Sequence, residues 1–233
     1  MTQLLFLPGL AADAVMWQAQ SSALADFGPR VTNVHTRFGT IAQMAEALLA
    51  ENDGELVLCG ASMGGIVAME VARQAPERLR GLALLGTNAR PETPDMQALR
   101  EAAIELFAQG RVAEVIEPNV ALAFHPDNAR NPALVQAYLD FVLAAGAGQL
   151  IAQNRAIIGR PDARTHLPQV RCPVLVVCGD ADQLTPPECS REIAALIPSA
   201  ELVLLAGCGH MLTMEKPQAV NAELRRWLQS LRF

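Results

Sequence analysis

Short, almost wholly apolar runs alternate along the chain with longer stretches whose apolar positions recur every three or four residues. The short runs, at residues 3–7, 55–59, 79–85, 173–178 and 201–205, read as strands, and so does the more polar 30–35. The longer ones, at 15–26, about 40–50, 63–74, 187–197 and 217–231, read as helices. Pro76 follows the third helix closely, and Pro187 and Pro217 open the last two, where a missing N–H costs nothing. Strands that are apolar at every position are buried on both faces, as in a parallel sheet covered by helices. The alternation therefore predicts an α/β fold with a mostly parallel sheet of about six strands and helices on both faces. Residues 87–165 break the rhythm. They offer no strand, only helical patterns at 95–109, 112–123, 132–145 and 149–158, joined by loops carrying Pro91, Pro94, Pro126, Pro132, Gly159 and Pro161. This organisation predicts a core in two parts, 1–86 and 166–233, with an inserted helical lid at 87–165 on the carboxyl edge of the sheet.

Composition narrows the picture. A chain of 233 residues and 24.9 kDa is long enough for one large core. Surface scaling gives about 36,000 Å² exposed when unfolded and about 10,000 Å² when folded. Hydrophobic residues make up 51% and aromatic ones only 4%, so the packing is mainly aliphatic. A net charge of −6 argues against a nucleic-acid partner, which needs a basic face. No run of about 18 uncharged apolar residues occurs, so no membrane span is expected. The first fourteen residues lack a basic start and are interrupted by Pro8, Gly9 and Asp13, so they read as a buried strand rather than a signal peptide. The five cysteines, Cys59, Cys172, Cys178, Cys189 and Cys208, are dispersed and form no CxxC pair. They favour neither a disulfide framework nor a zinc site, and a reducing cytoplasm is the simplest setting.

Candidate chemistry centres on Gly60-Ala61-Ser62-Met63-Gly64, a G-x-S-x-G motif between a predicted strand and a predicted helix. That context is the one a nucleophile elbow requires. A serine hydroxyl needs a base to act as a nucleophile. Among four histidines, His210 in Gly207-Cys208-Gly209-His210-Met211 lies just past the last strand, on the same rim as Ser62. His35 belongs at the sheet periphery, His125 in the lid and His166 in the return linker. The base in turn needs an orienting acid. Asp180 and Asp182 both follow the fifth strand; Asp182 lies further into the loop and is the better placed to reach the histidine, while Asp180 suits a turn cap. After the fourth strand Asn88 occupies the rival position. Backbone N–H groups of Met63 and Leu10 are candidate oxyanion donors, with Gly9 allowing close approach. Trp17, Met211, Phe124 and Phe141 are candidate substrate contacts. No clustered metal ligands and no phosphate-binding glycine loop occur, so no metal or cofactor is implied.

The order Ser62, Asp182, His210, together with Leu7-Pro8-Gly9-Leu10, Gly179-x-x-Asp182-x-x-x-Pro186 and Gly207-x-Gly209-His210, closely resembles the α/β-hydrolase superfamily along nearly the whole chain. The helical insertion resembles the lid of small serine carboxylesterases, including the pimeloyl-carrier-protein methyl ester esterases and enol-lactone hydrolases. Pro8 stands where the oxyanion loop frequently has His, and Ala61 where many members carry a bulkier polar residue. The resemblance implies a serine hydrolase that cleaves a small, partly hydrophobic carboxylic ester through an acyl-enzyme, without cofactor. An acyltransferase, a carbon–carbon bond hydrolase, a lyase or a cofactor-free perhydrolase would use the same three residues. A binding module would normally lack one of them. Monomer and homodimer remain open.

Overall fold

The computed structural model describes residues 2–231. Six strands form one parallel sheet in the order β2-β1-β3-β4-β5-β6. They are β1 Thr2–Leu7, β2 Arg30–Val31, β3 Glu55–Ala61, β4 Leu79–Leu85, β5 Val174–Gly179 and β6 Ala200–Leu205. Their helices are α1 Gln18–Ala23, α2 Val34–Arg37, α3 Ile41–Glu51, α4 Met63–Gln74, α5 Pro94–Ala108, α6 Val112–Ala123, α7 Pro132–Ile158, α8 Pro187–Leu196, α9 Leu212–Glu215 and α10 Pro217–Ser230. The accessible surface is 10031 Å², close to the value expected from mass alone.

Side chains alternate across the strands, yet both faces are dry. Leu4, Phe6, Val57, Cys59, Leu175 and Val177 pack with Trp17 and with Leu224 and Trp227 of α10 on one face. Leu5, Leu7, Leu56, Leu58, Val174 and Val176 pack with Met44 and Leu48 of α3, Val67 and Val71 of α4 and Ile193 of α8 on the other. Helices thus cover both faces, and α5, α6 and α7 lie in the stretch between β4 and β5, which contains no strand.

Two elements differ from the expectation. The second strand is only two residues long, and Val34–Arg37 turn into a short helix instead. β2 is an edge strand held on one side only; Thr32 N–H still reaches Phe6 O at 2.9 Å, after which Asn33 O accepts Thr36 N–H and His35 Nε2 donates to Ala12 O in the loop after β1. The helix expected over 15–26 is broken into a 3-10 turn at Ala14–Trp17, α1, and a second turn at Ala25–Phe27. Asp13 caps the first turn through Val15 N–H, and Trp17 stacks on Phe6 with ring centres 4.6 Å apart.

The helices expected at 132–145 and 149–158 meet in α7 across Gly146, whose φ of 74° and ψ of 166° interrupt the helix. By length and composition α7 is the one helix among the described residues that is long and apolar enough to cross a membrane. A search for uncharged apolar runs passes over it because Asp140 and Gln149 lie within it. Its straight parts, 132–145 and 147–158, are each shorter than the roughly 20 residues a spanning helix needs.

Two buried histidines couple the fold to pH. His35 Nε2 donates to Ala12 O at 2.8 Å and His166 Nε2 to Met69 O at 3.1 Å, while the Nδ1 atom of each has no partner among the described residues. Burial lowers both imidazoles below their ordinary value. The unfolded chain therefore binds protons near pH 6.5 that the folded chain refuses. The stabilisation is complete above that pH and is lost as pH falls from about 6.5 through the folded values. Thermal unfolding should accordingly show the melting temperature dropping between pH 7.5 and pH 5. His35→Gln, which keeps an amide donor for Ala12, should flatten that drop; an unchanged slope would contradict the assignment.

Candidate active site

β3 ends at Ala61, α4 begins at Met63, and Ser62 alone makes the turn, with φ 51° and ψ −118°. An L-residue held there costs about 1–3 kcal/mol and persists only where its surroundings fix it. Ser62 N–H donates to Leu85 O at 2.9 Å, and Thr87 Oγ1 donates to Ser62 O at 2.7 Å. The flanking glycines are required by space. A Cβ on Gly60 would lie 2.4 Å from Gly64 O, and one on Gly64 would lie 2.0 Å from Leu7 O. This close approach of α4 to β1 brings the first turn of the helix up to the loop after β1.

His210 lies in the loop between β6 and α9. The corner after α6 anchors that loop: His210 N–H and Met211 N–H both donate to Ala123 O, and Glu215 accepts from Gly209 N–H and His125 N–H. The imidazole bridges two partners, with Nε2 3.0 Å from Ser62 Oγ and Nδ1 2.8 Å from Asp182 Oδ2. Asp182 is buried and its acceptor sites are filled. Oδ1 accepts Leu184 N–H and Thr185 N–H at 2.9 Å each, and Oδ2 accepts the Thr185 hydroxyl at 2.9 Å as well as His210. Burial pushes the Asp182 carboxyl up, but the adjacent His210 and the hydrogen bonds from His210 and Thr185 outweigh it and hold the carboxyl below its usual value. An ionised carboxylate only accepts, so the shared proton sits on Nδ1 and Nε2 is free to accept from Ser62. Asp180 faces elsewhere, accepting Cys208 N–H at 3.3 Å, and Asn88 accepts Arg90 N–H within its own loop.

The loop after β1 carries a telling distribution of amides. Pro8 has none, Gly9 N–H reaches Met16 Sδ, Ala11 N–H reaches Gln153 Oε1 at 2.7 Å, and Ala12 N–H reaches Gly9 O. Leu10 N–H and Asp13 N–H have no acceptor among the described residues, and of the two it is Leu10 that adjoins Gly9, which packs against Ser62. Met63, the first residue of α4, has an N–H that no helical carbonyl can take. Both residues of this pair border Ser62 along the chain or across the Gly9 contact, where a Cβ would lie 3.3 Å from the Ser62 Cβ.

Ser62 and His210 open into a cavity of about 500 Å³ between the sheet edge and α5, α6 and α7. Its lining is chiefly apolar, and Met96, Leu99, Leu122 and Leu184 on its wall are also exposed large hydrophobics. Of the four candidate substrate contacts, Phe141 and Met211 line it. Trp17 and Phe124 do not. Both are fully buried, Trp17 stacked on Phe6 and Phe124 set edge-on to Tyr138, and Met16 and Tyr138 take the places on the wall. Sequence reasoning also passed over Thr185, Glu215, Gln153, Asn154 and Arg100. Thr185 stands three residues after Asp182, a spacing that could have flagged it; the residues on α5 and α7 carry no such signal. No group of three or more His, Cys, Asp or Glu side chains is placed to hold a metal among the described residues.

The parallel order 2-1-3-4-5-6, the strained serine between β3 and α4, and the helical insertion after β4 together define an α/β-hydrolase. The profile of the family described as serine aminopeptidase, S33, matches residues 20–217, and the chain belongs to that family. A pimeloyl-[acyl-carrier protein] methyl ester esterase from Aromatoleum aromaticum is 31% identical over 77% of this chain and 76% of its own. A thermophilic esterase from Thermogutta terrifontis, solved with malate bound, superposes with a TM-score of 0.91 at 30% identity, covering 100% of this chain and 91% of the other. The enol-lactonase from Burkholderia xenovorans has the same fold, with a TM-score of 0.86 at 24% identity over 98% and 92% of the two chains. The protein is an α/β-hydrolase enzyme of the esterase kind.

Proposed function

We propose that the enzyme hydrolyses a small carboxylic ester through an acyl-enzyme on Ser62. The observation that carries this reading is the unbroken chain from Ser62 Oγ to His210 Nε2 and from Nδ1 to Asp182, at 3.0 and 2.8 Å, with its serine end open to the cavity. Ser62 Oγ attacks the acyl carbon as His210 Nε2 takes its proton, and the carbonyl oxygen becomes an oxyanion held by the Leu10 and Met63 amides. As the tetrahedral species collapses, the ester C–O bond breaks and His210 gives the proton to the departing alcohol. Water then attacks the acyl-enzyme with His210 again as base, releasing the acid and restoring Ser62. Asp182 fixes the imidazole tautomer and stabilises the imidazolium. Segment 87–165 acts as the lid that supplies the apolar wall.

A fluorophosphonate probe tests the reading. It should label the enzyme once, and peptide mapping should find the adduct on Ser62; an adduct elsewhere, or none on folded protein, would reject it.

Gln153 extends the site into the lid. It is buried on α7, accepts Ala11 N–H and donates to His35 O at 3.0 Å, so it holds an Ala11 whose φ is 58°. In this reading that clamp sets the neighbouring Leu10 amide. A lost oxyanion donor costs about a hundredfold or more in kcat. Gln153→Leu, which displaces the donor rather than deleting it, should lower kcat by about tenfold with KM changed less than about twofold. A rise in KM at constant kcat would instead assign Gln153 to the wall of the pocket.

A further inference from the structure

Arg100 is the one permanently charged side chain among the residues lining the cavity. It projects from α5, and two of its three nitrogens are committed: Nε donates to Glu92 Oε2 at 2.5 Å and Nη1 to Asn154 Oδ1 at 2.9 Å. Nη2 has no acceptor among the described residues. Glu92 is shared, because it also takes Nη1 of Arg160 at 2.8 Å, and both members of that second pair are only 5% exposed. Two guanidinium groups against one carboxylate leave a surplus positive charge. Burial and the nearby Arg100 both disfavour the charged form of Arg160. The carboxylates beyond the cluster are occupied, Glu192 by Arg90 and Arg164, and Asp162 by Arg164.

A tether between lid helices and core needs only the Nε and Nη1 bonds. The surplus charge and the unused fork of donors are what a tether leaves unexplained. A guanidinium beside an apolar cavity is costly unless its donors are met, and a carboxylate meets them with short, charge-assisted bonds. The rest of the wall, with Phe107, Ile116, Phe141 and Leu150, suits a hydrocarbon spacer.

We infer that Arg100 is a specificity residue that binds an ionised carboxylate carried by the ester at the far end of an apolar chain. The substrate class is then the monoesters of dicarboxylic acids. This rests on the serine-hydrolase reading of Ser62.

The test compares 4-nitrophenyl monoesters of dicarboxylic acids, adipate and longer so that the free carboxylate does not attack its own ester, with 4-nitrophenyl esters of monocarboxylic acids of equal length. The wild-type enzyme should favour the carboxylate-ended series in kcat/KM by about tenfold or more at its best chain length, and salt should erode the preference. Arg100→Gln should lower kcat/KM on that series by about 10- to 100-fold, mainly through KM, and by at least about tenfold more than on the neutral series. Arg100→Lys should restore part of the loss. Free adipate should inhibit the wild-type enzyme better than hexanoate does, a comparison that needs no variant. Equal losses on both series in Arg100→Gln, or a wild-type preference for neutral esters at every length, would overturn the inference. If the fluorophosphonate still labels Ser62 in that case, only the role of Arg100 falls; absence of both labelling and turnover would defeat the underlying reading instead.

Discussion

Ser62→Ala is expected to lower kcat by about a million-fold on any 4-nitrophenyl ester the enzyme turns over, since removal of the nucleophile from such a unit costs about that much. Fluorophosphonate labelling should vanish with it. The variant should fold as the parent does, because among the described residues the only partner of Ser62 Oγ is His210 Nε2, whereas the backbone bonds to Leu85 O and from Thr87 Oγ1 do not involve the hydroxyl. The turn keeps its φ of 51° whichever of the two residues fills it, so the strain is common to both proteins. Steady-state kinetics on protein of matched melting temperature checks the result. A variant that kept a tenth of the parent activity would assign the chemistry to another nucleophile.

The parts of this molecule that were legible in the sequence are those where geometry leaves one residue type a choice of one. Gly60 and Gly64 are such positions, since any Cβ there meets backbone within 2.4 Å. So are residues 56–61 of β3, 81–85 of β4 and 174–179 of β5, whose buried runs carry no charge and have no other home than a sheet covered on both faces. Asp182 could be separated from Asp180 because one more turn of loop brings a carboxylate over the histidine. What was illegible depends on which way a side chain points once its helix is packed. Periodicity assigns α5 and α7 as helices but does not say that Arg100, Gln153 and Asn154 turn inward while Arg155 faces solvent. The aromatic residues misled for the same reason: Trp17 and Phe124 are large and apolar, and the structure spends them on the core at Phe6 and Tyr138 rather than on the cavity wall. β2 failed differently. As an edge strand it has one partner, and two residues of pairing end where His35 and Asn33 find bonds elsewhere.

Asp182→Asn should reduce kcat/KM by about ten-thousand-fold, a loss argued from the bonds this carboxylate already makes. Oδ1 receives two backbone amides, from Leu184 and Thr185, and cannot be replaced there by an NH2 group without orphaning both. The asparagine must therefore keep its oxygen on that side and turn its amide nitrogen toward His210. Facing a donor, Nδ1 becomes the acceptor and the ring proton moves to Nε2, which then points an N–H at Ser62 Oγ and cannot take the serine's proton. The fold should survive, since Thr185 Oγ1 can rotate to accept from the amide it formerly served as donor. Asp180→Asn supplies the contrast. Among the described residues that carboxylate accepts only Cys208 N–H, a bond an amide oxygen makes equally well, so kcat/KM should stay within about threefold of the parent. Comparable losses in the two variants would mean that the position of a negative charge near the histidine matters and the tautomer does not.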